Sequence, residues 1–287
     1  SERNLSAQVL NVHEHFFLID CGEGTQIQLR KYKIKFGKIN HIFISHLHGD
    51  HFFGLFGLLS SFSLLRRKND LYIYGPPQLE NLISYILYYF DNEITFNIIF
   101  KSLNGKKSEK ILENEFIIIK TIPLKHKIPT TGFLFQEKPK LPNIRKEKIT
   151  ELQIPVKQIA AIKNGADFTD NRGNTIPNRE ITIPPPPPRS FAYCSDTKYT
   201  ESIIPIIKNV DLLYHEATFM EDLKKRAAET GHSTTLQAAK TALKANAGKL
   251  IIGHFSIRYK DLNKVLEETR TAFENTELAE EGRTFEV

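Results

Sequence analysis

The chain has 287 residues, of which 40% are apolar and 25% charged, and its formal net charge is +6. This composition excludes a disordered or fibrous protein and predicts a soluble fold with one large core or two modest ones. The basic balance favours anionic partners. Two cysteines, Cys21 and Cys194, exclude a disulfide scaffold, so reduced thiols in a cytoplasmic protein are expected. No apolar run reaches the roughly 20 residues of a membrane span, so no membrane partner is expected.

Strands and helices are predicted to alternate along the first half of the chain. Short β-rich runs predict strands at residues 7–12, 16–20, 42–45, 71–74, 94–100, 116–121 and 132–136. Apolar residues at helical spacing predict helices at 54–66 and 78–90. Glycines after the second strand permit a tight turn there.

The middle of the chain changes character. From 138 to 189 the periodicity is poor, lysines and arginines are frequent, and the segment ends in five prolines at 184–188. Such a run favours a polyproline II strut of roughly 15 Å, at about 3.1 Å per residue. The segment is predicted to be an arm inserted into a single domain that spans 1–287. A disordered loop is the alternative.

Beyond the arm the alternation resumes. Strands are predicted at 191–194, 212–214 and 250–253, and helices at 201–209, 234–245 and 260–273. Two strand-and-helix halves around a central insertion predict an α/β fold, a two-sheet αβ/βα sandwich whose site lies at the strand ends.

A cluster of metal-ligand residues follows the predicted strand 42–45. His46, His48, Asp50 and His51 fall within six residues. Packing does not require so many imidazoles in one turn, and the cluster would repel itself below neutral pH unless something bound it. Imidazole nitrogen and carboxylate oxygen are ligands that Zn²⁺ prefers. A polar turn with surface histidines is the structural alternative.

Three further candidate ligands each follow a hydrophobic strand. They are His126, Asp196 and His254. Taken singly, each is more typical of a solvated loop. Together, at the ends of successive strands, they favour a shared metal site.

Several motifs make the chain similar to metallo-β-lactamase-fold hydrolases, and within them it resembles the ribonuclease Z family. The hallmark His-x-His-x-Asp-His spans 46–51. The surrounding segments are DCGEGTQ at 20–26, GDHFFGL at 49–55, PLKH at 123–126, HEATF at 215–219, GHST at 231–234 and HFSIRY at 254–259. The His-Glu-Ala-Thr and His-Ser-Thr segments carry the distinction, because lactamases and glyoxalases of this fold lack them. The matches run in order from the first residues to about residue 260, and only the arm falls outside them.

The resemblance implies a fold, an activity and partners. The fold is a four-layer αβ/βα sandwich of two mixed sheets with an inserted tRNA-binding arm at 138–189. The activity is a zinc-dependent endoribonuclease that removes the 3′ trailer from precursor tRNA and leaves a 3′ hydroxyl. Two Zn²⁺ ions per subunit are implied, with Mn²⁺ or another divalent ion possible. The partners are precursor tRNA and a second copy in a cytoplasmic homodimer.

The resemblance also assigns ligands. One zinc ion would be held by His46, His48 and His126. The other would be held by Asp50, His51 and His254. Asp196 would bridge the two ions.

Catalytic and substrate roles follow from the same resemblance. Asp50 would orient or deprotonate the attacking water, His232 would protonate the leaving oxygen, and Glu216 would orient His232. The substrate-binding residues implied are Arg3, Asn4, Ser233, Thr234 and Arg258. For Ser233 and Thr234 the backbone N–H groups would receive a phosphate oxygen, and an ordinary helix N-cap is equally compatible with the sequence.

Two departures from the family pattern affect substrate binding rather than the metal site. Residues 1–4 resemble only the end of the family's Pro-x-Lys-x-Arg-Asn loop. The strand and glycine-rich turn that usually precede this loop do not occur within residues 1–287, either because the protein lacks them or because they lie before Ser1. The arm has Ile154-Pro155 where family arms carry Gly-Pro. The remaining histidines match no family ligand. His13, His15 and His41 are interpreted as surface or loop residues, and His215 as a structural hydrogen-bonding group.

Two other functions remain open from the residues. A small-molecule hydrolase acting on a thioester, lactone or sulfate ester would use the same metals but leave the arm unexplained. A non-catalytic RNA- or protein-binding relative is disfavoured by the complete ligand set.

Overall fold

The structure is a computed structural model that describes residues 3–89 and 94–287. Two compact units are present. One comprises residues 1–111, 119–135 and 190–287, and the other comprises 112–118 and 136–189. Every candidate metal ligand lies in the first unit.

The described residues form the following strands and α-helices, in chain order. The strands are β1 (Gln8–Val12), β2 (His15–Ile19), β3 (Ile39–Phe43), β4 (Leu71–Gly75), β5 (Ile98–Ser102), β6 (Lys110–Glu113), β7 (Ile117–Leu124), β8 (Thr130–Glu137), β9 (Asn143–Ile144), β10 (Phe168–Thr169), β11 (Thr175–Ile176), β12 (Thr182–Ile183), β13 (Ser190–Cys194), β14 (Leu212–Glu216), β15 (Lys249–Gly253) and β16 (Thr276–Leu278). The α-helices are α1 (Thr25–Lys31), α2 (Gly49–Phe52), α3 (Gly54–Leu64), α4 (Pro77–Tyr89), α5 (Lys146–Glu151), α6 (Val156–Lys163), α7 (Asn178–Ile181), α8 (Lys224–Thr230), α9 (Thr235–Ala245) and α10 (Asn263–Arg270).

Two large sheets organise these elements. The first has the order β1-β2-β3-β4-β5, with an antiparallel β1–β2 hairpin and parallel pairing from β2 to β5. The second has the order β16-β15-β14-β13-β8-β7-β6, with parallel pairing from β13 to β16. Both are mixed sheets, as the sequence predicts.

Side-chain alternation along the strands separates three apolar layers. Phe17, Phe43 and Phe135 are buried between the sheets, where the Phe43 and Phe135 ring centroids lie 5.6 Å apart. The side chains that alternate with these along each strand point to the opposite face of the sheet, where they pack against the helices. Ile42 lies in the cluster that holds α1, α3 and α4, and Leu213 in the cluster that holds α9 and α10. The result is the predicted four-layer αβ/βα sandwich.

Two predicted elements in the first unit are wrong in extent or type. The strand predicted at 94–100 begins only at Ile98, because its partner strand begins at Leu71 and supplies no ladder partner to earlier residues. The helix predicted at 201–209 is a single 3₁₀ turn, Glu201–Ile203. Pro205 explains this, since it lacks an N–H donor and its ring clashes with the preceding helical turn. The helix predicted at 78–90 is α4, and Phe90 lies outside the described residues.

The second unit has elements that the poor periodicity of 138–189 did not predict. It contains β9 to β12 and α5 to α7, all of them short. Its own small core consists of Ile144, Ile154, Ile162, Phe168 and Ile181.

Both cysteines are free and buried. Burial raises the pKa of each thiol to about 12. Within residues 3–89 and 94–287, no helix is long and apolar enough to cross a bilayer.

Candidate metal centre

The histidine motif begins three residues after β3 and runs into α2, which contains Asp50 and His51. Gly54 starts α3 against the β2–α1 turn, and a Cβ at this position would come within 1.9 Å of the Gly22 carbonyl oxygen. Only glycine allows this close approach. The packing fixes where the motif leaves the sheet. His46 and His51 are buried, while the Asp50 side chain is 41% exposed.

Three imidazoles and a carboxylate form a first cluster. The ligand atoms of His46, His48, His126 and Asp196 all lie within 4.8 Å of one another. His46 Nε2 is 3.1 Å from His48 Nδ1, which is 3.3 Å from His126 Nε2. Asp196 Oδ2 lies 3.5 Å from His46 Nε2.

A second cluster shares the same aspartate. Asp50, His51 and His254 also lie within 4.8 Å of one another. Asp50 Oδ2 is 3.5 Å from the Nε2 atoms of both histidines. Asp196 Oδ1 lies 3.5 Å from His51 Nε2 and 3.3 Å from His254 Nε2. Asp196 therefore turns one oxygen to each cluster.

The hydrogen bonding of these atoms fits a bound cation. Within the described chain, His51 Nε2 and Asp196 Oδ1 are buried and have no hydrogen-bond partner. Leaving a buried polar atom unpaired costs about 1–3 kcal/mol. Imidazole nitrogens and carboxylate oxygens facing one another at about 3 Å are the donor set of Zn²⁺ and of similar divalent ions.

Four of the candidate ligand histidines have Nε2 in a cluster and form a hydrogen bond through Nδ1 on the opposite side of the ring. The Nδ1 partners are Ser45 Oγ for His46 at 2.9 Å, Asp20 Oδ2 for His51 at 2.7 Å, the Gly231 carbonyl for His126 at 2.7 Å and Thr218 Oγ1 for His254 at 2.9 Å. A carbonyl or carboxylate partner requires a proton on Nδ1, which leaves the Nε2 lone pair facing the cluster. These outer partners tune and orient metal ligands.

Asp20 is a functional residue that the sequence analysis did not single out. It is fully buried and accepts hydrogen bonds from the Ser45 backbone N–H at 2.8 Å, the Tyr193 hydroxyl at 2.6 Å and His51. Its φ of 56° is unusual for a residue other than glycine. Its position at the start of the DCGEGTQ segment was the available signal.

Glu216, His232 and Thr218 form a hydrogen-bonded group beside the two clusters. His232 Nδ1 lies 2.9 Å from Glu216 Oε1. Glu216 Oε2 accepts the Thr218 hydroxyl at 2.7 Å, and Oε1 accepts the Thr197 backbone N–H at 2.9 Å. Because the Thr218 hydroxyl proton goes to Glu216, its oxygen accepts from His254 Nδ1. Glu216, the residue expected to orient His232, is thus in direct contact with it.

Burial and neighbouring charges shift the pKa values of several groups in the two clusters. Burial of Asp196 raises its pKa, but the surrounding imidazoles, His254 foremost, outweigh burial and hold that pKa well below its usual value. Burial lowers the pKa of His254, but Asp196, Asp50 and Glu216 together outweigh burial and raise that pKa to about 10. Burial lowers the pKa of His48 and of His126. The acidic groups are therefore ionised, and a cation, a proton or a metal ion, is drawn to them.

The predicted substrate-binding residues differ in their accessibility to a substrate. Ser233 and Thr234 are fully buried. Thr234 caps α9 through a capping box in which its backbone N–H donates to Gln237 Oε1, so that N–H is already used. The helix-cap alternative describes Thr234. Arg258 is exposed, and its guanidinium lies 5.2 Å from the Phe219 ring centroid.

Arg3 and Asn4 are both engaged with other parts of the chain. Arg3 donates to backbone carbonyls of residues 255–259. Asn4 hydrogen-bonds Glu281 through its backbone N–H and its amide, and its amide oxygen accepts from Gln28.

The four other histidines lie outside the clusters. His13 and His15 are exposed. His41 is neither on a loop nor fully exposed: it belongs to β3 and stacks on Tyr72 at 5.0 Å. His215 is buried, with Nδ1 2.7 Å from the Glu216 carbonyl oxygen.

Solved structures share this architecture. Human tRNase Z, short form (ELAC1), is 27% identical, covers 98% of this chain and 92% of its own, and superposes with a TM-score of 0.70. The metallo-β-lactamase fold protein YhfI from Bacillus subtilis is 18% identical, with a TM-score of 0.68 over 99% of this chain and 92% of its own. The fold is therefore that of the metallo-β-lactamase class, and together with the candidate ligand clusters it indicates use of divalent metal ions.

Relatives with higher sequence identity identify the family within this class. Ribonuclease Z from Phocaeicola vulgatus is 49% identical over 276 residues, covering 96% of this chain and 89% of the relative. Ribonuclease Z from Cytophaga hutchinsonii is 49% identical over 286 residues, covering 99% and 91%. A family profile described as "Anti-Pycsar protein Apyc1" matches residues 2–142. The chain belongs to the ribonuclease Z family.

Proposed function

We propose that the protein is an endoribonuclease that removes the 3′ trailer from precursor tRNA and leaves a 3′ hydroxyl. The observation that carries this proposal is the pair of ligand clusters joined by Asp196, with the Glu216–His232 pair beside them. In a member of the ribonuclease Z family, this arrangement supplies both the metal ligands and a proton donor for phosphodiester hydrolysis.

The resident metals are proposed to be two Zn²⁺ ions, with Mn²⁺ or another divalent ion as the alternative. His46, His48 and His126 would hold one ion, Asp50, His51 and His254 the other, and Asp196 would serve both. When bound, two such cations lower the pKa of the attacking water and stabilise the charge that develops at phosphorus.

Asp50 is proposed to orient the attacking water and accept its proton. It is the most exposed carboxylate of the two clusters, while Asp196 is almost fully buried. A carboxylate that is open on one side is accessible to water and substrate, whereas each Asp196 oxygen is buried and faces one of the two clusters.

His232 is proposed to protonate the departing 3′ oxygen. Its Nδ1 donates to the buried carboxylate of Glu216, which orients the ring and leaves Nε2 as the nitrogen that would act on the substrate. The ring lies 4.9 Å from that of His126 and 5.3 Å from that of His254, so it borders both clusters. Attack of the water oxygen at phosphorus breaks the bond between phosphorus and the 3′ oxygen, and the proton from His232 goes to that oxygen, giving a 3′ hydroxyl on the tRNA and a 5′ phosphate on the trailer.

Substrate binding is proposed to use Arg258 and the arm at 138–189. The exposed Arg258 lies four residues after His254 and can reach a phosphate near the cut. The arm's lysines and arginines suit sequence-independent phosphate contacts, which weaken steeply with salt. A cytoplasmic homodimer is proposed as the working form, with sedimentation of the purified protein as its test.

The proposal is tested by incubating the zinc-loaded protein with a precursor tRNA that carries a 3′ trailer and mapping the product ends. We expect a single cut that leaves a 3′ hydroxyl, and a fall of about 10²–10⁴-fold in kcat for His232→Ala with metals retained. Hydrolysis of bis(p-nitrophenyl) phosphate, a lactam and a thioester is measured in parallel. No RNA cleavage together with rapid turnover of the lactam or thioester would identify a small-molecule hydrolase instead.

A further inference from the structure

One arginine joins the start of the described chain to the loop that carries a candidate metal ligand. Arg3 Nη2 donates to the Ser256 carbonyl at 3.0 Å and approaches the Phe255 carbonyl at 3.5 Å. Its Nη1 donates to the Tyr259 carbonyl at 3.2 Å. All three carbonyls belong to residues 254–259, which connect β15 to α10, and more than 250 residues separate them from Arg3 along the chain.

The same loop carries two residues of the proposed site. Its first residue is His254, whose φ of 59° is unusual for a residue other than glycine. Four residues later comes Arg258, the proposed phosphate contact. The loop is also tied to the segment after β14, through the Ser256 backbone N–H to the Thr218 carbonyl at 3.1 Å. A strained position such as that of His254 persists only where its surroundings hold it.

The chemistry of arginine suits this contact. A guanidinium is a planar fork with five donors, so it can bind several carbonyl oxygens of one loop at fixed angles. A lysine ammonium has the same charge without the fork. Because the Nη groups of Arg3 point to backbone carbonyls, the side chain is committed to the protein rather than directed at a phosphate.

We propose that Arg3 is a positioning residue that holds the backbone of residues 254–259, so that His254 and Arg258 keep their places at the site. This inference rests on the proposed function, and it differs from the expectation that Arg3 itself senses the RNA. Arg3 acts on the reaction through the loop.

The test compares Arg3→Gln, Arg3→Lys and Lys68→Gln with the unmodified protein. Lys68 is an exposed cation after α3 and serves as the matched control for loss of one surface charge. Two substrates are used, precursor tRNA and bis(p-nitrophenyl) phosphate. Amide hydrogen exchange is followed at 254–259 and, as a check on folding, in β1 to β4.

For Arg3→Gln we expect kcat to fall about tenfold to a hundredfold on both substrates, because displacement of a site group by about 1 Å costs this much. The KM for precursor tRNA should stay within about twofold of the unmodified value, as expected when no direct RNA contact is lost. Exchange at 254–259 should accelerate while β1 to β4 stay protected. Arg3→Lys should behave like Arg3→Gln, and Lys68→Gln like the unmodified protein.

A direct RNA contact gives the opposite pattern. The proposal is overturned if Arg3→Gln raises the KM for precursor tRNA while kcat on the small substrate and exchange at 254–259 are unchanged. Rescue by Arg3→Lys would also overturn it, since charge alone would then suffice. The small substrate and the exchange measurement do not require that tRNA be the substrate, so this result is separable from failure of the proposed function.

Discussion

The Thr218 hydroxyl forms hydrogen bonds with both the candidate metal ligand His254 and Glu216, the partner of the proposed proton donor His232. Its removal should therefore affect both metal binding and catalysis. Thr218→Val keeps the shape of the side chain and replaces the hydroxyl with a methyl group. The variant loses the 2.7 Å bond to Glu216 Oε2 and the 2.9 Å bond from His254 Nδ1. Glu216 Oε2 retains the Thr218 backbone N–H at 3.1 Å, whereas among the described residues His254 Nδ1 has no other hydrogen-bond partner.

The size of the effect follows from these losses. Removing an outer partner of a metal-bound histidine costs about 10–100-fold in metal affinity, which equals about 1.4–2.7 kcal/mol. The loss should fall on the cluster of Asp50, His51 and His254. The cluster of His46, His48 and His126 should keep its affinity, because its outer partners are Ser45 and Gly231.

The assay is titration of the metal-free protein with Zn²⁺ or Co²⁺ against a competing chelator, with kcat measured in parallel. Thr218→Ser is the matched control, since it restores the hydroxyl and loses only a methyl group. We expect one tight and one weakened ion in Thr218→Val, and two tight ions in Thr218→Ser. Equal affinities in the valine and serine variants would refute the reasoning.

Three further predictions concern other residues around the site. Asp20→Asn should weaken metal binding and lower the free energy of unfolding by about 1.5–3 kcal/mol, measured by urea denaturation, because charged hydrogen bonds are lost; an unchanged midpoint would contradict this. Gly231→Ala should cost about 1–2 kcal/mol at a φ of 87° and displace His126, whose Nδ1 would lie 2.8 Å from the new Cβ, so both the melting temperature and kcat should fall. Burial raises the pKa of Cys21 and Cys194 to about 12, so both thiols stay protonated at pH 8 and should react with a disulfide reagent only on unfolding; rapid labelling of the native protein would refute this.

Much of the fold could be predicted because its strands are short, apolar and bounded by turn residues. The α9 helix is an example: Thr234 and Gln237 form a capping box at its start, a pattern readable in the sequence. The prediction of a helix at 201–209 was wrong because it relied on the apolar spacing and gave too little weight to Pro205. In the structure the N–H that Pro205 lacks limits the element to one 3₁₀ turn.

The residues brought together at the clusters could be predicted because metal ligands are chemically distinctive. Their supporting partners could not. Asp20, Thr218 and Gly231 act through a carboxylate, a hydroxyl and a backbone carbonyl, which occur throughout any sequence. Their contacts depend on a fold that brings residues more than 30 positions apart into hydrogen-bonding distance. The commitment of Arg3 to a loop over 250 positions away is invisible in sequence for the same reason.

The candidate metal ligands come from both sheets of the sandwich, so metal binding would be linked to assembly of the two sheets. His46, His48 and His51 leave the edge of the first sheet, whereas Asp196 and His254 leave the edge of the second. An ion bound by both groups would link the two sheets, adding to their apolar contacts and to hydrogen bonds such as that from Tyr193 to Asp20. At a free concentration a hundred times its dissociation constant, one such ion adds about 2.7 kcal/mol to the folded state. The supply of metal would then set how long the protein survives as well as how fast it works.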